Sequence, residues 1–156
     1  MKLIAAPALI LALTLAACNQ ANVSGNAKTY TFTAQTQTGY SAQAGKATRT
    51  DLNTNDTSTV LVASGLKPLT AYVAHYHAAG ADVSKGVCAS NGPIVGDQGS
   101  MTMIGGMTFT SDSAGAVTIR GLNTTATLSA AKYINIHEGA ALAVVPLCAD
   151  LTVAAK

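Results

Sequence analysis

The chain has 156 residues, 49% of them hydrophobic and 10% charged, and a formal net charge of +2. This length suits one domain with a real core rather than two. Arg49 and Arg120 are the only arginines and no basic run occurs, so the chain lacks the electrostatic footprint of a protein that binds nucleic acid or another polyanion.

The first element is a leader. Lys2 precedes an apolar run over 3–15, broken only by Pro7 and Thr14, and Leu15-Ala16-Ala17-Cys18 follows. The run is too short to span a bilayer and has the layout of a signal peptide over residues 1–17. Its LxxC ending resembles a bacterial lipobox, which makes Cys18 the lipidated first residue of the mature chain. The expected location is the cell envelope, with the membrane as a partner through the anchor. Asn19 rather than an acid follows the cysteine, which in a Gram-negative cell favours the outer membrane. Residues 18–28 are small and polar without periodicity, as a tether requires, and the domain is expected over 29–156.

From Tyr30 onward the pattern is of short strands, expected at 30–36, 47–52, 57–64, 71–77, 107–111, 116–122, 132–137 and 143–153. Each is rich in Thr, Val, Ile or Tyr and bounded by Gly, Asn, Asp or Pro, the signature of half-buried strands between turns. No part of the mature chain keeps a helical period. These elements predict an all-β fold, a Greek-key β-barrel or sandwich of about eight antiparallel strands. Gly65-Leu66-Lys67-Pro68 and Ser111-Asp112-Ser113-Ala114-Gly115 read as turns. Residues 78–106 form a long, glycine-rich excursion, and loops of that length without secondary structure are usually functional or disordered.

The chemistry sits in the three histidines. His75 and His77 form an HxH in one expected strand and His137 closes another. Alternation in a strand sends His75 and His77 to the same side, about 6.6–7 Å apart. A third imidazole from a neighbouring strand completes an all-nitrogen set, which suits copper or zinc rather than calcium or magnesium. Of the cysteines, Cys18 belongs to the lipobox. Cys88 and Cys148 are left either as a pair in an oxidising compartment or as two thiols able to hold copper or zinc. Met101 and Met103 form an MxM whose thioethers suit Cu(I); with Met107, they serve equally well as adaptable core filler. Neither GxSxG nor HExxH occurs, so serine hydrolase and zincin motifs are missing.

Val60 to Gly65, Leu69 to His77, Cys88-Ala89-Ser90-Asn91-Gly92-Pro93, Met107 to Gly115 and Tyr133 to Glu138 together, and in this order, resemble the Cu/Zn superoxide dismutase family over roughly residues 57–153. The resemblance implies an eight-stranded Greek-key barrel, a Cys88–Cys148 disulfide tying the long loop to the last strand, and one copper per chain on His75, His77 and His137. It also implies superoxide, or copper itself, as the small-ion partner. Two positions depart from the pattern. Ile94 stands where the family carries the histidine bridging copper to zinc, and no histidine lies between His77 and His137. Asp97 and Asp112 do not replace a set of imidazoles, so no zinc is expected. Val145 stands where the family carries the arginine that attracts superoxide, and the segment between His137 and Cys148 is short. Copper-only relatives share the missing zinc site and the missing loop.

The leading expectation is a lipid-anchored, extracytoplasmic copper-binding protein that dismutes superoxide weakly. A copper carrier or buffer without turnover is the first alternative. A metal-free β-module for adhesion or assembly is the second, because Tyr133-Ile134-Asn135-Ile136-His137 also resembles the YxNxH segment of CHRD repeats.

Overall fold

The computed structural model describes residues 23, 25–96, 104 and 108–154. Among them the chain forms nine strands in two antiparallel sheets, the all-β sandwich expected from the alternation. They are β1 (Lys28–Thr31), β2 (Thr33–Ala34), β3 (Ala44–Asp51), β4 (Asp56–Ser64), β5 (Ala71–His77), β6 (Phe109–Thr110), β7 (Val117–Thr124), β8 (Tyr133–Glu138) and β9 (Leu147–Asp150). One sheet runs β1-β3-β4-β7 and the other β2-β9-β8-β5-β6. The chain changes sheet between β4 and β5, between β6 and β7, and between β7 and β8, the crossed connections of a Greek key.

The four-stranded sheet has one dry face. Along β4, Thr57, Thr59, Leu61 and Ala63 are buried while their neighbours are exposed or half-buried, and Val117 and Ile119 continue that face on β7. The five-stranded sheet is different, because β5 is buried from Tyr72 to His77 and β8 from Tyr133 to His137. Strands buried without alternation must be covered on both faces. Tyr72, Ala74, Tyr76, Ile134 and Ile136 point into the sandwich core. By alternation, Val73, His75, His77, Tyr133, Asn135 and His137 point the other way. Loops cover that second face and hold the histidines away from water.

Two of the expected strands are revised. The one at 30–36 breaks at Phe32, so β1 pairs with β3 while β2 pairs with β9 in the other sheet. Phe32 is buried at this corner and its N–H bonds the Gly45 carbonyl at 3.0 Å. The one at 143–153 shrinks to Leu147–Asp150, because the chain first turns, with the Val144 N–H on the Ala141 carbonyl at 2.8 Å, and then passes Pro146. Proline cannot donate to a ladder. The expected turns are in place: Gly65 and Gly115 both have positive φ, and Asp112 Oδ1 accepts from the N–H groups of Ala114 and Ala116 at 2.8 Å each.

The described part of the long loop, 78–96, returns to β5. Ala78 N–H bonds the Pro93 carbonyl at 2.9 Å and Val95 N–H the Tyr76 carbonyl at 2.8 Å, which sets Ile94 opposite His77. A 3-10 turn, Val87–Ala89, carries Cys88 into a disulfide with Cys148 on β9, Cα to Cα 5.9 Å. The loop is therefore fastened at its base by backbone bonds and at its tip by a covalent bond. A disulfide of this kind points to an oxidising, extracytoplasmic compartment.

Candidate metal centre

The pairing of β5 with β8 places Val73 opposite His137, His75 opposite Asn135, and His77 opposite Tyr133. Directly opposed residues share a face, so these six side chains form a patch of two columns and three rows. The histidines take one position in each row. One ring nitrogen from each of His75, His77 and His137 lies within 4.8 Å of the other two. Bonds of about 2.0–2.1 Å to a common ion place three nitrogens around it about 3.3–3.6 Å apart. The three rings therefore enclose an ion after shifts of a fraction of an ångström. Ring centroids are 5.0 Å apart for His75 and His137, 5.8 Å for His77 and His137, and 6.1 Å for His75 and His77.

Backbone carbonyls from the two covering loops orient two of the rings. His77 Nδ1 bonds the Gly92 carbonyl at 2.9 Å, and His137 Nδ1 bonds the Leu142 carbonyl at 2.6 Å. A carbonyl only accepts, so Nδ1 carries the proton in both rings and Nε2 is left with its lone pair. Both Nε2 atoms are buried and have no hydrogen-bond partner among the described residues. Buried acceptors of this kind are uncommon and ask for an explanation; a metal ion supplies one. A carbonyl bonded to the far nitrogen is the usual outer support of a metal-binding histidine.

Electrostatics keep the rings ready. Burial pushes His137 down to about 4, helped by the neighbouring His75 and His77 and opposed by its Leu142 hydrogen bond. Burial also lowers His77, against the opposing Gly92 contact. At neutral pH both are neutral imidazoles, the form that ligates. The nearest acid in sequence, Glu138, is turned elsewhere. Its carboxylate is paired with Lys67 and accepts from Tyr40 Oη at 2.6 Å, and the Lys67 hydrogen bond first, then Tyr40, holds it below the usual carboxylate range.

All three expected ligands thus meet, and Cys88 and Cys148 are bonded to each other rather than offered as thiols. Asp112 is a turn residue away from the cluster. Cys18, Asp97, Met101, Met103 and Met107 lie outside the described residues. The sequence reading missed Gly92 and Leu142, which act through backbone carbonyls and so leave no side-chain signal. It singled out Tyr133, which stacks on His77, and Asn135, a polar residue inside the strand YINIHE, only as part of the YxNxH segment and not as site residues. That last signal was available.

An all-β sandwich with a buried three-histidine cluster able to hold a metal ion is the class that fold and site define. Comparison of the chain with protein-family models and with curated proteins yields no match.

Proposed function

We propose that this chain is an extracytoplasmic copper-binding protein of the superoxide dismutase-like type, anchored through lipid on Cys18 and slow as a dismutase. The observation that carries the reading is the convergence of His75, His77 and His137, with the Nε2 atoms of His77 and His137 buried and without a donor among the described residues. An all-imidazole set in a buried site suits copper among the metals of an oxidising compartment. The sandwich topology, the Cys88–Cys148 link and the HxH on β5 opposite a histidine on β8 support the family assignment.

Copper held by His75, His77 and His137 would supply one-electron redox chemistry, the kind that converts two superoxide ions and two protons to dioxygen and hydrogen peroxide. The chain's part is to hold the ligands and control access. Gly92 and Leu142 fix the proton of His77 and His137 on Nδ1. Loop 78–96 and the segment before β9 keep bulk water from the rings. The segment before β9 carries no cation for an incoming anion, and loop 78–96 carries only Lys85, which lines a pocket with Thr33, Ala34, Cys88 and Asp150 that includes none of the three histidines. Val145 is half-buried, Arg120 is exposed on β7 in the opposite sheet, and Arg49 lies over the Tyr76 ring at 5.4 Å. With no arginine beside the rings among the described residues, electrostatic steering of an anion is expected to be weak. Ile94, opposite His77, supplies no fourth imidazole.

The same features favour a second reading, a copper carrier without turnover. Stopped-flow superoxide decay on copper-loaded protein, with His137→Ala as the control for free copper, separates the two. A rate well below the diffusional ceiling of about 10⁹ M⁻¹s⁻¹, lost in the variant, supports slow dismutation. Stably bound copper with no decay supports the carrier. A diffusion-limited rate contradicts both.

A further inference from the structure

The three-row patch holds a fourth polar side chain that the histidine cluster does not account for. Asn135 is directly opposite His75 and two residues before His137 on the same face of β8. Opposed residues in an antiparallel pair have Cβ atoms about 4.5–5.5 Å apart, and residues two apart on one strand about 6.6–7 Å. His77 and His137 occupy opposite corners of the patch, and the line between them passes between His75 and Asn135. The register therefore places Asn135 on the face that carries the three histidines, across from His75 and between His77 and His137.

Its environment is unusual for an amide. Asn135 is 8% exposed and its Oδ1 is buried with no hydrogen-bond partner among the described residues. An amide oxygen buried without a partner costs about 1–3 kcal/mol, and the position is flanked by Ile134 and Ile136 in a strand that otherwise buries apolar or ligating groups. Valine fits a buried strand position at no such cost. Asn135 Oδ1 and the Nε2 atoms of His77 and His137 are thus buried acceptors on one face, none with a donor among the described residues. A single cation held between them would satisfy all three.

We propose that Asn135 Oδ1 is the fourth protein donor to the metal held by His75, His77 and His137, making the site N3O. This rests on the copper reading above and extends it to the preferred oxidation state. Cu(I) is satisfied by three imidazoles, whereas Cu(II) favours a fourth ligand and accepts a hard oxygen. The amide oxygen therefore strengthens Cu(II) binding selectively and lowers the copper potential.

The test uses the mature, disulfide-bonded protein with Asn135→Val, which removes the oxygen and suits a buried strand, and Asn135→Asp, which keeps an oxygen and adds charge. Cu(II) and Cu(I) affinities are measured by competition with chelators, together with the Cu(II) EPR spectrum. Asn135→Val is expected to weaken Cu(II) roughly tenfold or more, to leave Cu(I) within about twofold, and to change the EPR parameters. A tenfold selective loss corresponds to a rise of about 59 mV in potential. Asn135→Asp is expected to keep Cu(II) affinity at or above that of the unaltered protein, which also answers a folding defect in the valine variant. Unchanged Cu(II) affinity and EPR in Asn135→Val overturn the N3O site while leaving the three-histidine copper reading intact. Failure of the unaltered protein to bind copper overturns both.

Discussion

The imidazole of His77 lies flat on the phenol ring of Tyr133, centroids 4.8 Å apart and planes 9° from parallel. The two residues are opposed across β5 and β8, and Gly92 locks them together. Gly92 N–H donates to Tyr133 Oη at 2.8 Å, and its carbonyl takes the His77 Nδ1 proton at 2.9 Å. One loop residue thus holds both members of a stacked pair, and the orientation of a candidate ligand depends on where the loop sits.

Tyr133→Phe keeps the ring and removes the hydroxyl, leaving the buried Gly92 N–H without its acceptor. The expected cost is about 1–3 kcal/mol in chemical denaturation, with the metal affinity reduced less than in His77→Ala. An unchanged denaturation midpoint would show that the hydroxyl does not hold the loop.

Gly92→Ala tests the same clamp from the other side. A Cβ there would lie 1.8 Å from the Ala78 carbonyl oxygen and 2.7 Å from both the Ala79 carbonyl carbon and the Gly80 nitrogen. All three are backbone, so the loop must move and take the His77 acceptor with it. Metal affinity is expected to fall by about 10–100-fold, as for other outer supports of metal ligands. Affinity equal to that of the unaltered protein would separate the loop from the site.

The Cys88–Cys148 disulfide joins residues 60 apart in sequence, a closure that stabilises by about 4 kcal/mol in the chain-entropy model. Reduction should lower the thermal midpoint and weaken metal binding together, because it frees the loop that carries Gly92. Reduction that lowers stability but leaves metal affinity intact would confine the disulfide to a structural role.

Much of the fold was legible because alternation is a local signal. Thr57, Thr59, Leu61 and Ala63 announce a one-sided strand, and the HxH places two ligands on one face with no knowledge of the partner strand. The break at Phe32 was not legible. Burial alternates straight through Thr31, Phe32 and Thr33, so periodicity continues while the hydrogen-bonding partner changes from β3 to β9. The early end assigned to the last strand hid in the same way, since Ala143, Val144 and Val145 have strand composition but follow a tight turn. At the site, the three clustered histidines were visible as side chains and their supports were not, because Gly92 and Leu142 contribute carbonyls that every residue has. Asn135 was visible as a polar residue among isoleucines, and its meaning needed the register that sets it opposite His75.

The metal-free protein should lose stability in mild acid. His137 is held near 4 and His77 is also lowered, while in the unfolded chain both titrate near about 6.5. Below that value the unfolded state binds protons that the folded state refuses, so stability is full above about pH 6.5 and falls as pH drops toward 4. His137 alone contributes a loss of about 3 kcal/mol across that window. Denaturation midpoints between pH 4 and 7.5 check the slope; a flat profile would mean that the rings are not held neutral by burial.

The most direct test of the central claim is X-ray absorption at the copper edge, with metal analysis, on mature protein exposed to equimolar copper and zinc. The three-histidine copper site predicts about one copper per chain, a first shell dominated by imidazole nitrogens, and loss of that signal in His77→Ala and His137→Ala while the fold survives. Zinc held in place of copper, or copper bound equally well by both alanine variants, would contradict it.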